Sequence, residues 1–242
     1  AGDDPSIRLA CQLRPTHDLA FVPVFPPRSA TRPMRARRIG EERYLVSMFV
    51  DMRGSTRIAE SRLPFDTVFI VNRFLGAVSR AVIACGGQPN QFVGDGMLAL
   101  FGLTQPPREA CRDAIRAAAA IAAAIDELNR SVGHDLPEPI RFGIGIHGGE
   151  VIVGEIGYRD HMVFTALGDA VNVAARLQDM TKALGCETLL SDEVRETAGI
   201  AADALPTREA EIRGRIEPMR VCPIEQSREL AAALDRSEAM LA

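Results

Sequence analysis

Two aspartates stand where chemistry could occur. Asp51 follows directly on the apolar, β-rich run Tyr44 to Val50, which places it at a strand end, where the backbone leaves a core. Asp95 lies in a Gly94-Asp95-Gly96 turn between two further strand-like runs, Gln91 to Val93 and Met97 to Phe101, a hairpin signal. If strand and hairpin are neighbours, both carboxylates reach one place. Two hard oxygen ligands suit Mg²⁺ or Mn²⁺, with water and phosphate oxygens completing the shell. Residues Met52 to Thr56 then turn into a helix, and helix N-terminal amides favour phosphate. Each aspartate also has a plain reading: Asp in a Gly-Asp-Gly turn is first of all a turn former.

A second constellation is Gly168 to Arg176, G-D-A-V-N-V-A-A-R. Asn172 and Arg176 are four residues apart, so on a helix they share a face. An amide and a guanidinium presented together can hold a sugar and an anionic transition state. Two unrelated polar residues on a surface helix would look the same. Two other motifs carry less. Gly143, Gly145 and Gly148 spell G-x-G-x-x-G, but that fingerprint needs a strand before it and a helix opening within it. Here the β-rich Val151 to Val153 follow, and the dinucleotide reading is rejected. His147 lies in the same strand with no His or Cys partner at metal spacing, and reads as a packed histidine.

The elements that must position these residues form a regular series. Ser55 can cap a short helix, and a longer one is expected from Pro64 to Ala84, ended by Gly86-Gly87. An alanine-rich helix spans Pro107 to Asn129. Arg141 to His147 and Glu150 to Ile156 read as two strands separated by Gly148-Gly149. Asp169 to Leu184 reads as a helix, Thr188 to Leu190 as a short strand, Ala210 to Arg213 with Met219 to Ile224 as a final hairpin, and the stretch from Glu225 as helix-like. The expected fold is α+β, an α/β sandwich with helices packed on a mostly antiparallel sheet. The domain divides as an arm or linker over 1–40, a main domain over 41–225 and a helical tail over 226–242.

Composition is that of a globular protein: 242 residues, 47% hydrophobic and 25% charged. A net charge of −4 gives no reason to expect a nucleic-acid or anionic-membrane partner. Cys11, Cys85, Cys111, Cys186 and Cys222 are scattered without a C-x-x-C, which fits a reducing, cytoplasmic setting. The longest apolar run, Ala117 to Ile125, is too short to span a bilayer, so no direct membrane insertion is expected of this segment. Residues 1–40 carry several prolines and an arginine cluster from Arg28 to Arg38, read as a solvated linker or as a site for an acidic partner.

Four segments together carry a resemblance. F-V-D-M-R-G-S-T (49–56), Q-F-V-G-D-G-M-L-A-L-F-G (91–102), G-I-H-G-G-E-V-I-V-G-E-I-G (145–157) and F-T-A-L-G-D-A-V-N-V-A-A-R-L (164–177) resemble, in order and spacing, the catalytic domain of the class III nucleotidyl cyclases over roughly residues 42–224. The resemblance implies a ferredoxin-like α/β sandwich that pairs head to tail as a homodimer, with active sites at the interface. It implies that Asp51 and Asp95, with the Met52 carbonyl, hold two Mg²⁺ or Mn²⁺ ions per site. Asn172 matches the residue that orients the ribose, and Arg176 the arginine that stabilises the transition state. Gly54, Ser55 and Thr56 fall at the triphosphate. Arg213, in I-R-G-R (212–215), stands where the family has a triphosphate-binding lysine, with Arg215 as a substitute. Metals would come from one subunit and the Asn/Arg pair from the other.

Base selection is where the sequence departs from the pattern. The family's adenine-reading positions hold Gln91, in place of the usual lysine, and Thr165. An amide can read adenine by donating to N1 and accepting from N6–H, and the guanine-type Glu and Cys are absent. The expectation is an adenylyl cyclase acting on ATP. A guanylyl or dual-specificity cyclase using GTP, or a catalytically weak regulatory dimerisation module, are the alternatives. At the other end, R-L-A-C-Q (8–12) resembles the segment around the last cluster cysteine of a [2Fe–2S] ferredoxin, either as the end of an upstream domain or by chance.

Overall fold

Alternation in one strand generates the layers. In the computed structural model, which describes residues 40–61, 63–132, 136, 138–158 and 161–239, β1 (Glu41–Arg53) runs through the middle of the sheet. Val46, Met48, Val50 and Met52 face the larger core, while Leu45 and Phe49, one step out of phase, face a second apolar cluster. The larger core is closed by α2 (Pro64–Ala84) and α3 (Pro107–Val132), through Phe74, Val78, Ile115 and Ile121 among others. The opposite face is covered by α4 (Asp169–Leu184), whose Val173 and Leu177 pack on Leu189 and Val221.

The other strands are β2 (Gln88–Val93), β3 (Gly96–Phe101), β4 (Arg141–Tyr158), β5 (His161–Leu167), β6 (Thr188–Ser191), β7 (Arg208–Ala210) and β8 (Met219–Ile224). Their order is β2-β3-β1-β4-β6-β8-β7, with β5 paired to β4. Only the β4–β6 pairing is parallel, so the sheet is mostly antiparallel, as expected. The first residues of β1 pair with the second half of β4, Glu41 with Val153, and the next residue of β4, Gly154, pairs with Thr165 of β5.

Several expectations need correction. Gly148-Gly149 does not separate two strands: β4 is one strand of 18 residues. Neither glycine has a positive φ, and a Cβ on Gly148 would lie 2.3 Å from the Tyr44 hydroxyl. The pair serves close approach, not a turn. Strand β5 and the short helix α5 (Asp192–Thr197) were not anticipated. The first arm of the last hairpin is Arg208–Ala210, and Ile212 to Gly214 belong to its loop, where Gly214 has φ +82. Ser55 is the first residue of α1 (Ser55–Ser61) and not its cap, since the Ile58 N–H bonds the Gly54 carbonyl at 3.1 Å. The C-terminal helix α6 (Glu229–Ala239) packs Leu230, Ala233 and Leu234 into the larger core. The arm over 1–39 and Cys11 lie outside the described residues.

Helix α2 is the one described helix long and apolar enough to cross a membrane by length and composition. Its Ile70, Phe74, Ala77, Val78, Ala81 and Val82 are buried in the core, while Phe65, Val68, Phe69 and Ile83 are exposed, so it carries two apolar stripes.

The G-x-G-x-x-G glycines explain how α4 sits. A Cβ on Gly145 would lie 2.2 Å from the Ala174 carbonyl oxygen and 2.3 Å from the Gln178 backbone nitrogen. Backbone cannot yield as a side-chain end can. Gly145→Ala should therefore push α4 off the sheet and cost about 3 kcal/mol in chemical denaturation. An unchanged denaturation midpoint would show that α4 tolerates the shift.

Candidate active site

The β1–β3 register brings the two aspartates together. Asp51 pairs with Gly96, and Asp95 is the turn residue immediately before it. The turn closes because Gly94 takes φ +61. A side chain on Gly96 would strike the site, since its Cβ would stand 2.8 Å from Asp51 Oδ1. Burial, then the Asp95 charge, then Asp179 on α4, push the Asp51 carboxyl up to about 6, against a bond from the Met52 backbone N–H. Asp95 Oδ2 is buried and has no hydrogen-bond partner. Among the described residues no group of three or more His, Cys, Asp or Glu gathers as a metal cage. The expected carboxylate pair is thus adjacent, half-buried and short of cations.

Asn172 and Arg176 are on α4, one turn apart, as their spacing requires. Asn172 is exposed. The Arg176 guanidinium lies against the loop between β7 and β8, with Nη2 3.2 Å from where a Gly214 Cβ would stand. Arg215, expected as a substitute for Arg213 at the triphosphate, donates to Asp169 Oδ2 at 3.0 Å, while Arg213 is exposed beside Gly214.

Helix α4 runs along β4: Ala170 contacts it at Gly149, Ala174 and Gln178, which flank Arg176, contact it at Gly145, and Thr181 contacts it at Gly143, the β4 partner of Asp51. Among the described residues no hydrogen bond or ion pair joins Asn172 or Arg176 to either aspartate.

Gln91 and Thr165 are brought together: Gln91 Nε2 donates to Thr165 Oγ1 at 3.0 Å, joining β2 to β5. Thr165 in turn donates to Asn90 Oδ1 at 2.7 Å. Asn90 was not singled out from sequence. Its only signal would have been the Pro89 before it, a residue that disturbs strand pairing. Gly54, Ser55 and Thr56 follow the end of β1, with Gly54 at φ +78. His147 is buried with Nδ1 2.8 Å from Ser191 Oγ, and burial followed by Arg215 lowers its pKa to about 4, so it stays neutral and packed.

Comparison with known proteins places these residues in a family. Residues 42–219 match the model of the adenylate and guanylate cyclase catalytic domain. An uncharacterized protein of Mycobacterium tuberculosis is 35% identical over 191 residues, which is 77% of this chain and 34% of that protein. An adenylate cyclase of Anabaena cylindrica is 35% identical over 158 residues, 63% of this chain and 30% of that one. The chain thus spans about a third of the length of these relatives. The solved guanylyl cyclase Cya2 superposes with a TM-score of 0.68 at 27% identity, covering 76% of this chain and 93% of its own. With the family match extending over most of the chain, and with all four motifs set on the elements just described, the chain belongs to the adenylate and guanylate cyclase catalytic domain family.

Proposed function

We propose that this domain is an adenylyl cyclase that converts ATP to 3′,5′-cyclic AMP and pyrophosphate, at sites shared between two copies of the chain. The observation that carries the reading is that Asp51 and Asp95 stand together at one corner while Asn172 and Arg176, one turn apart on α4, make no hydrogen bond or ion pair to them among the described residues. Head-to-tail pairing of two copies would complete both sites by two-fold symmetry. Exposed Phe65, Phe69, Phe92, Ile156, Phe164 and Leu167 support such an interface, being more large apolar surface than a monomer needs.

The acidic half-site fits divalent cations. Asp95 Oδ2 is a buried acceptor without a donor, and Asp51 is strained by the neighbouring negative charge. Asp51, Asp95 and the Met52 carbonyl would hold Mg²⁺ or Mn²⁺, two per site. When bound, such ions acidify the ribose 3′-hydroxyl and screen phosphate charge. In the reaction the 3′-oxygen attacks the α-phosphorus in line and pyrophosphate leaves. Asn172 orients the ribose, and Arg176 meets the charge that develops on the phosphorus oxygens. Gly54 to Thr56 and Arg213 hold the triphosphate, and Gln91 with Thr165 faces the base. Adenylyl specificity is favoured over guanylyl by the absence of the guanine-type Glu and Cys at those two positions.

Incubation with Mn²⁺ and either ATP or GTP, across a protein concentration series, tests the reading. Cyclic AMP should form, with specific activity rising with concentration as copies pair. Pyrophosphate release without a cyclic nucleotide would sink it, and a GTP preference would favour the guanylyl alternative. Asp51→Ala or Asp95→Ala should lower activity by more than about a hundredfold, because each removes a direct metal ligand. Arg176→Ala should lower kcat on the order of a hundredfold with little change in KM.

The raised Asp51 carboxyl gives a further expectation. Native Asp51 keeps its proton to about pH 6, whereas the unfolded chain releases it near 3.8. The native state binds more protons in that window, so metal-free protein loses stability as pH rises from about 4 through about 6. In EDTA at pH 7.5, Asp51→Asn should gain about 1 kcal/mol, less than the full shift implies because solvent screens a half-buried pair. Added Mn²⁺ should reverse the order of stabilities. Equal responses of both proteins to Mn²⁺ in thermal unfolding would remove Asp51 from the metal site.

A further inference from the structure

β2 breaks register once. Pro89 pairs with Ala99 and Gln91 with Leu98, which leaves Asn90 as the extra residue of a bulge. In an unbulged strand, consecutive side chains point to opposite faces. Here Asn90 and Gln91 reach the same atom: Thr165 Oγ1 accepts from Gln91 Nε2 at 3.0 Å and donates to Asn90 Oδ1 at 2.7 Å.

The direction of this chain of bonds is fixed from its far end. Asn90 Nδ2 donates to the Phe164 carbonyl oxygen at 2.7 Å, and a carbonyl can only accept. Asn90 is therefore held with Oδ1 toward Thr165. A hydroxyl has one proton, and that of Thr165 is held by Asn90. Toward any other group the Thr165 oxygen can then only accept. Gln91 is held the same way round, with one N–H on Thr165 and a second N–H left to donate.

We propose that Asn90 is a specificity-positioning residue: by holding the Thr165 proton, it makes the pocket select a 6-amino purine over a 6-oxo purine. This rests on the reading of Gln91 and Thr165 as base contacts. Adenine offers N6–H donors to an acceptor-only Thr165, and its N1 accepts from the spare Gln91 N–H. Guanine reverses both edges. Its O6 would face an oxygen with no proton to give, and its N1–H would face a donor. A site whose polar groups are left unpaired by the wrong substrate rejects it. Without Asn90 the Thr165 hydroxyl would be free to rotate and donate to O6.

The test compares binding of 3′-deoxy-ATP and 3′-deoxy-GTP to the purified protein with Mn²⁺, alongside turnover of ATP and GTP. Asn90→Leu, close in size but without polar atoms, should lower the adenine-to-guanine preference roughly five- to tenfold, the scale of one neutral hydrogen bond. Asn90→Ala should do the same and serves if the leucine variant fails to fold. In a Thr165→Val background, which has no hydroxyl proton to direct, Asn90→Leu should leave the preference unchanged. An unaltered ratio in both single variants overturns the proposal, as does an equal fall in the Thr165→Val background, because Asn90 would then act by shape. If both analogues bind but no cyclic nucleotide forms, the cyclase reading fails while the binding ratio still decides the role of Asn90. If neither analogue binds at millimolar concentration, both readings fall.

Discussion

Asp51 faces Gly96 across an antiparallel ladder, and the register of β1 on which this depends cannot slip. One step either way would turn Val46, Met48, Val50 and Met52 out of the larger core and Asp51 into it. Hydrophobic burial on both faces of β1 therefore positions a carboxylate that contributes nothing to the core. The same strand fixes β4 on its other side. The glycines of β4 then admit α4 close enough to bring its backbone against the sheet. Carboxylates, amide and guanidinium are all placed by one strand and its two neighbours.

This placement has an electrostatic cost that the fold does not relieve. Two carboxylates share a partly buried corner, Asp179 adds a third negative charge at some remove, and one oxygen of Asp95 has no donor. A sequence selected for stability alone would not leave a corner in this state. Local violations of packing and polarity rules concentrate where a protein binds something. His147 makes the contrast: it is buried, neutral and bonded to Ser191, as a structural group should be.

Much of this was legible in the sequence because the signals were local. Asp51 ends an apolar run, Gly94-Asp95 makes a two-residue turn, and Asn172 and Arg176 have helical spacing. What was not legible depended on partners distant in sequence. Gly148-Gly149 reads as a break until Tyr44 occupies the space a side chain would fill. β5 becomes recognisable as a strand only once the outer half of β4 is there to pair with it. The bulge at Asn90 is a relation between two strands, marked in the sequence by no more than the Pro89 before it. Turn chemistry and periodicity are properties of a segment, whereas register and close approach are properties of a pair.

The continuity of β4 has a mechanical meaning. Glu41, the first residue of β1, lies opposite Val153, and the next residue of β4, Gly154, lies opposite Thr165. One rung of ladder thus separates the entry point from Thr165. A pull applied at Glu41 would load its β4 partners first, whereas Asp51 lies toward the other end of β1. Such a load would reach Thr165 and the exposed apolar residues of β5 before the acidic corner, which would stay as a fixed anvil.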